Sequence, residues 1–255
     1  MIPLQTDLSI FNKLGLERPP VGVKYLFGKP EGIEKIDKKL ALCEMVKEAQ
    51  LRKEPFYFTK EEEDCAGKMA LGMVETSTAA IAGEIGGEGR IFQDSRANSN
   101  LIYQVHRNYS DPVRGTINYV AYAQIDKLTF EPDLLVVVGT AEQAEIVMRA
   151  MAFTTGELYR SVVSTVFACA SLYVYPYQTG NVNYVVTGMT YGMRCKEVYP
   201  SGLVLIVIPY HWIPAVTYSL NNMQWVPEAF RQGRDRFVEH ERNVMKELKS
   251  RAEDL

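Results

Sequence analysis

The chain has 255 residues, 47% hydrophobic and 23% charged, with a formal net charge of −3. That length suits one large domain or two small ones and is ample for a packed core. Lys and Arg are spread along the chain, which argues against a nucleic-acid footprint, and no run reaches the roughly 18–20 apolar residues of a membrane span.

The opening MIPLQTDLSIFNKLGLERPP has neither a basic start nor a continuous apolar stretch. It does not read as a signal or transit peptide, so the expected compartment is the cytoplasm, where thiols stay reduced. Thr6–Leu14 is expected to form a short helix with Thr6 or Asp7 as cap and Leu8, Phe11 and Leu14 on one face. Pro19-Pro20 ends it. Val21–Phe27 alternates as a strand, with Val21, Val23 and Tyr25 on one face, until Gly28 and Pro30 break it. Leu40–Arg52 predicts a helix carrying Cys43. Phe56–Phe58 predicts a short strand. Thr59 followed by Glu62 has capping-box spacing, which predicts a helix from near Lys60 with the acidic run Glu61–Asp64 in its first turn. Thr76–Ile85 reads as helical and Gly83–Gly89 as a turn or loop.

Ile117–Gln124 predicts another strand. Pro132-Asp133 then opens the clearest unit: Leu134–Val138 as a buried strand, Gly139-Thr140 as a turn, Ala141–Ala152 as a helix. Gly202–Ile208, followed by a helix from about Trp212 to Met223, repeats that plan in pattern rather than identity. An old duplication and a chance recurrence both account for it, and chance takes the larger share, since strand–turn–helix is common in α/β proteins. Between the two units, Val162–Ala170 reads as a helix or strand, the segment holding Tyr173, Tyr175, Pro176 and Tyr177 as a loop, and Asn183–Gly188 as a strand. Arg231–Ala252 predicts a polar helix with a thin apolar stripe at Phe237, Val244 and Leu248. The expected fold is therefore α/β, a mixed sheet with helices and two βα units. It makes a single compact domain over residues 1–255, with residues 231–255 as a peripheral helix.

Chemistry centres on Cys43, Cys65, Cys169 and Cys195, separated by 21, 103 and 25 residues. No CxxC pair is present, so zinc-ribbon and bacterial-ferredoxin patterns are absent. Counting alone favours four unconnected buried thiols. Local context favours ligation: Cys43 and Cys65 lie near predicted helix N-termini, where the dipole favours a thiolate. Gly67, two residues after Cys65, would let a backbone approach a bulky group. Cys169 sits among small residues. Three such thiolates could hold three irons of a [4Fe–4S] cluster, with the fourth iron on Cys195 or open to a substrate.

The segments ALCEMVKEAQ, DCAGKMALGM, EPDLLVVVGTAEQAEIVMRAM, FACASLYVYPYQTGNVNYVVTG and GMRCKEVYPSGLVLIVIP resemble the family DUF169, the uncharacterised ArCR group. The resemblance runs from about Val21 to Leu220. It implies a shared fold and an anaerobic setting, and no assigned reaction. It places Cys43, Cys65 and Cys169 on family cysteine positions, whereas Cys195 is peculiar to this chain. Arg194 falls in the family's Gly-x-Arg segment, where it reads equally as a bidentate anion binder and as a surface residue.

The remaining candidates are weaker. Gly83, Gly86, Gly87 and Gly89 could cradle an anion, but no Lys-Ser/Thr follows, so this is no P-loop. His106, His211 and His240 form no metal motif, and only His106 is a candidate acid–base group or outside ligand. Tyr173, Tyr175, Tyr177, Tyr184 and Tyr191 could line a pocket or simply pack a core. Two functions stand. One is an iron–sulfur protein of anaerobic metabolism, in a redox or substrate-binding role, working with a small-molecule or redox partner. The alternative is a non-catalytic small-molecule or metal-cofactor binder, or a cofactor chaperone. A cysteine nucleophile is disfavoured because no thiol has an evident His partner. Oligomeric state is left open, a homo-oligomer included.

Overall fold

The structure is a computed structural model that describes residues 4–81, 91–109, 112–158 and 160–253. Its centre is a seven-stranded mixed sheet. The strands are β1 (Val21–Leu26), β2 (Glu34–Lys35), β3 (Phe56–Phe58), β4 (Tyr119–Gln124), β5 (Leu134–Gly139), β6 (Asn183–Val186) and β7 (Val204–Pro209). Their order is β2-β3-β4-β1-β5-β7-β6, with β2 and β3 parallel and every other pairing antiparallel.

β5 lies near the middle, and every one of its residues is buried. A strand covered on both faces reads as a continuous apolar run, which is why LLVVVG is so plain in the sequence. The Pro132-Asp133 signal has a physical cause. The Asp133 carboxylate accepts from Lys24 Nζ at 2.7 Å and from the Tyr25 N–H at 2.7 Å, while the Asp133 N–H donates to the Val23 carbonyl at 2.8 Å. These bonds set the register of β1 against β5.

The α-helices are α1 (Leu42–Leu51), α2 (Gly67–Ala70), α3 (Thr78–Ile81), α4 (Ser95–Asn108), α5 (Ala141–Thr155), α6 (Tyr175–Thr179), α7 (Tyr191–Cys195), α8 (Ile213–Asn222) and α9 (Glu228–Glu253). α1 packs on β1 and β4, and α5 packs on β5 and β7. The main core gathers Val21, Val23, Val136, Leu205 and Val207 of the sheet with Met45 and Val46 of α1, and it includes Cys43 and Cys169. Both βα units form, but β5 and β7 pair antiparallel. Residues Met1–Asn221 make one compact α/β unit, and Asn222–Leu255 cluster separately as a C-terminal unit dominated by α9. Gly233, at φ 76°, interrupts α9.

Several elements differ from expectation. The opening helix is a 3-10 turn over Ser9–Leu14. Glu62 does receive the Thr59 N–H, at 3.0 Å, as the capping-box spacing predicts. No helix follows, because Glu63 turns inward to bridge with Leu40 and the next helix waits until Gly67. Val162–Val166 is irregular, and the stretch after Cys169 is a helix rather than a loop. A π-helical turn over Ala170–Val174 runs into α6, which carries Pro176 in its first turn. A proline has no N–H for the α-helical ladder, and a wider turn absorbs the missing bond. Of the helix expected over Thr76–Ile85, Thr78–Ile81 forms α3, and the rest of it beyond Ile81, with the glycines from Gly83 to Gly89, lies outside the described residues.

Leu205 is 2% exposed at the heart of this packing. Leu205→Ala is expected to lower unfolding free energy by about 2–4 kcal/mol through the cavity it leaves. Denaturant titration checks this, and a loss under about half a kcal/mol would contradict the strand's central position.

Candidate functional site: three thiols gathered by a buried glutamate

Cys43 is the second residue of α1, Cys65 stands two residues before α2, and Cys169 immediately precedes the π-helical turn. All four cysteines are free thiols; Cys43 and Cys169 are buried, Cys65 is half-buried and Cys195 is exposed at the end of α7.

Glu63 joins the first two segments. Its side chain is fully buried. One carboxylate oxygen accepts the N–H groups of Leu42 at 3.1 Å and Gly67 at 3.2 Å, and the other accepts those of Cys65 at 3.0 Å and Lys68 at 3.1 Å. Those donors are backbone groups at the starts of α1 and α2, which have no partner within their own helices. A carboxylate between two helix N-termini satisfies them at both ends at once. Burial pushes the Glu63 pKa up, against the pull of its N–H donors and of Lys68.

Gly67 belongs to this arrangement. A Cβ there would stand 2.6 Å from Glu63 Oε1 and 2.6 Å from Leu42 Cβ. The missing side chain thus admits the glutamate, whereas the sequence reading reserved that space for a cofactor.

The third segment is tied in by tyrosines. Tyr173 Oη donates to the Leu42 carbonyl at 3.0 Å, and Tyr25 Oη donates to the Tyr173 carbonyl at 3.3 Å. α2 also packs against the Ala170–Val174 turn. Tyr122 is fully buried, and burial pushes its hydroxyl pKa well up, with Cys169, Glu63 and Cys43 adding to the rise. Its hydroxyl lies toward that of Tyr173 yet makes no hydrogen bond of normal geometry among the described residues.

Cys169 feels both other thiols, and Cys43 feels Cys65. Burial, then the neighbouring Cys65, pushes the Cys43 pKa up to about 12. Burial raises Cys169 well above the usual thiol range, with Cys43, Glu63 and Cys65 adding to the rise. Desolvation therefore outweighs the helix-terminus effect that the sequence suggested at Cys43. Lys196 places a positive charge near Cys65 and Cys43. The turn that carries it is latched to α1 by Lys47 Nζ, which donates to the Glu197 carbonyl at 3.3 Å, with Glu197 itself at φ 49°.

Other candidates stand apart. Cys195 is not among the groups acting on Cys43 or Cys169. Arg194 is exposed. His106 stacks edge-on against Phe167 with centroids 5.5 Å apart, and its Nε2 is buried without a hydrogen-bond partner among the described residues. Among the described residues, no three His, Cys, Asp or Glu side chains stand close enough to hold a single metal ion. Glu63, Tyr122 and Lys196 were missed as site residues, whereas Tyr173 stood among the tyrosines that could line a pocket. Only Glu63 left a trace in the sequence, in the acidic run Glu61–Asp64.

The family model DUF169, described as uncharacterised ArCR, matches residues 9–218. The uncharacterised protein MJ0308 of Methanocaldococcus jannaschii is 26% identical over 151 residues, which is 57% of this chain and 63% of that protein. The chain thus spans less than two thirds of that curated relative's length. No solved structure matches. No helix among the described residues is long and apolar enough to cross a membrane.

Two outcomes follow from this geometry. Metal-free native protein at neutral pH should be alkylated at exposed Cys195 well before Cys43 and Cys169, whereas all four react after denaturation; peptide mass analysis reads the order. The native chain should also keep the Cys43 proton while the unfolded chain loses it, across the window from the ordinary 9.0 to about 12. Stability then falls as pH climbs through that window, and a Cys43→Ala variant should show a shallower fall. Glu63→Gln tests the clamp. Its amide nitrogen would face two N–H donors, so it should cost on the order of 2–4 kcal/mol in a denaturant titration.

Proposed function

The chain belongs to the DUF169 family, and we propose that it carries an iron–sulfur cluster on Cys43, Cys65 and Cys169, in a redox or substrate-binding role of anaerobic metabolism. The observation that carries the reading is the convergence of three thiols from distant segments, tied together by Glu63 and Tyr173. Three chance burials need no such shared clamp.

The chemistry of the donors fits. A thiol pushed up to about 12 by burial is a poor nucleophile at neutral pH, which counts against covalent catalysis at Cys43. No histidine offsets that: His106 faces Phe167. A metal replaces the thiol proton, so desolvation that suppresses free thiolate does not prevent ligation. A single zinc ion draws its sulfurs in to about 2.3 Å, whereas a cluster spreads one thiolate per iron over a wider frame. A wider frame would suit thiols that act on Cys169 from two separate chain segments.

The protein's own groups would then have defined roles. Three thiolates beside Glu63 concentrate negative charge, and Lys196 opposes it from the Cys65 side. The Tyr122 hydroxyl, which lies toward Tyr173 without a hydrogen bond of normal geometry among the described residues, could donate toward sulfur. Hydrogen bonds to sulfur and nearby charge are the means by which a protein tunes a cluster's potential. With Cys195 outside the group, one iron is left for a small-molecule or redox partner. A bound cluster supplies electron transfer or Lewis acidity at that open position.

The half-exposed Cys65 and the missing fourth thiol favour a second reading, a carrier that binds its metal cofactor transiently. Anaerobic purification separates the two. The first expects brown protein absorbing near about 400 nm, with iron and labile sulfide retained through gel filtration. Ser at Cys43, Cys65 or Cys169 should lower iron and sulfide together, and Cys195→Ser should leave both unchanged. Loss of colour on gel filtration would favour the carrier. Colourless protein without iron or sulfide, even after reconstitution, would overturn both.

A further inference from the structure

A cavity of about 300 Å³ lies away from the thiols, lined by Glu157, Leu158, Arg160, Tyr175, Asn181 and Trp212 among others. Its walls follow from local chemistry. α5 stops at Gly156, a left-handed cap at φ 68°, and the Glu157 N–H then bonds to Thr155 Oγ1 at 3.1 Å, turning the chain across the helix end. Elsewhere in the lining the Trp212 indole N–H donates to the Gly180 carbonyl at 2.8 Å, so the ring is held in place with its polar atom already satisfied. The volume lies at the lower limit of ligand pockets, a size for a small metabolite rather than a nucleotide.

The charges on the walls narrow the class. Arg160 and Glu157 line the same cavity, yet neither makes a side-chain ion pair or hydrogen bond among the described residues, with each other or with any third group. A purely anionic ligand would meet Glu157 and a purely cationic one Arg160. A ligand bearing both charges matches both walls, its carboxylate taken bidentately by the guanidinium. Trp212, Tyr175 and the 92%-exposed Leu158 offer apolar and aromatic surface for its body.

We propose that this cavity binds a small amino-acid-type zwitterion with an aromatic or bulky apolar side chain, Arg160 holding the carboxylate and Glu157 the ammonium. The site is independent of the thiols and stands whether or not they carry a cluster.

Calorimetric titration of the whole protein with L-phenylalanine tests it, alongside 3-phenylpropionate, which lacks the ammonium, and 2-phenylethylamine, which lacks the carboxylate. L-Phenylalanine should bind saturably, and each truncated analogue about tenfold more weakly or worse, the value of one charge-assisted contact. Arg160→Gln and Glu157→Gln should each weaken L-phenylalanine binding by about the same factor, and circular dichroism should show both variants folded. Binding should also perturb Trp212 fluorescence in a Trp225→Phe background. The proposal is overturned by absence of saturable binding, by equal affinity for all three compounds, or by an Arg160→Gln variant that binds like the parent.

Discussion

A single buried carboxylate organises one end of this molecule. Glu63 receives backbone N–H groups from the starts of two helices that enclose 21 residues between Cys43 and Cys65. Without it, those donors would face a dry interior unpaired, at a penalty of about 1–3 kcal/mol each. With it, Leu42, Cys65, Gly67 and Lys68 are held around one side chain, and both thiols are brought to the same core. Gly67 and the Glu63–Leu40 bridge follow from that placement.

The clamp is worth little without the sheet beneath it. Tyr122 comes from the middle of β4 and Tyr25 from β1, on the face that also carries Val21, Val23, Val136 and Val207. Antiparallel register puts these side chains on one surface, since a shift of one residue would send the whole set to the other face. The Lys24–Asp133 pair and the Val23–Asp133 backbone bond secure that register. Tyr173 then reaches Leu42 from above, so the π-helical turn after Cys169 is positioned by the same sheet that positions α1.

Burial explains why such thiols suit ligation better than nucleophilic attack. Desolvation and the neighbouring thiols keep Cys43 and Cys169 protonated; under the proposed function a metal would take the proton's place. Lys196 and the half-exposed Cys65 give the thiol cluster a charged, more open side, and Tyr122 a buried one. The cavity beside Trp212 has a different character: Arg160 and Glu157, without side-chain partners among the described residues, put opposite charges on its walls.

Local pattern alone determined the strands β5 and β7 and the helices α1 and α5. Each depends on residues a few positions apart: a continuous apolar run, a 3.6-residue period, a turn signal at Gly139-Thr140. Tertiary structure decided the rest. Thr59 and Glu62 met as their spacing predicts, but Glu63 could not be read as a clamp, because its partners at Leu42 and Gly67 are made adjacent only by folding. Cys195, read as an optional fourth ligand, is exposed and does not act on Cys43 or Cys169. The thiol pKa at Cys43 was expected to fall and rises instead, because desolvation sums over every atom packed around a group, whereas a helix N-terminus is a local feature.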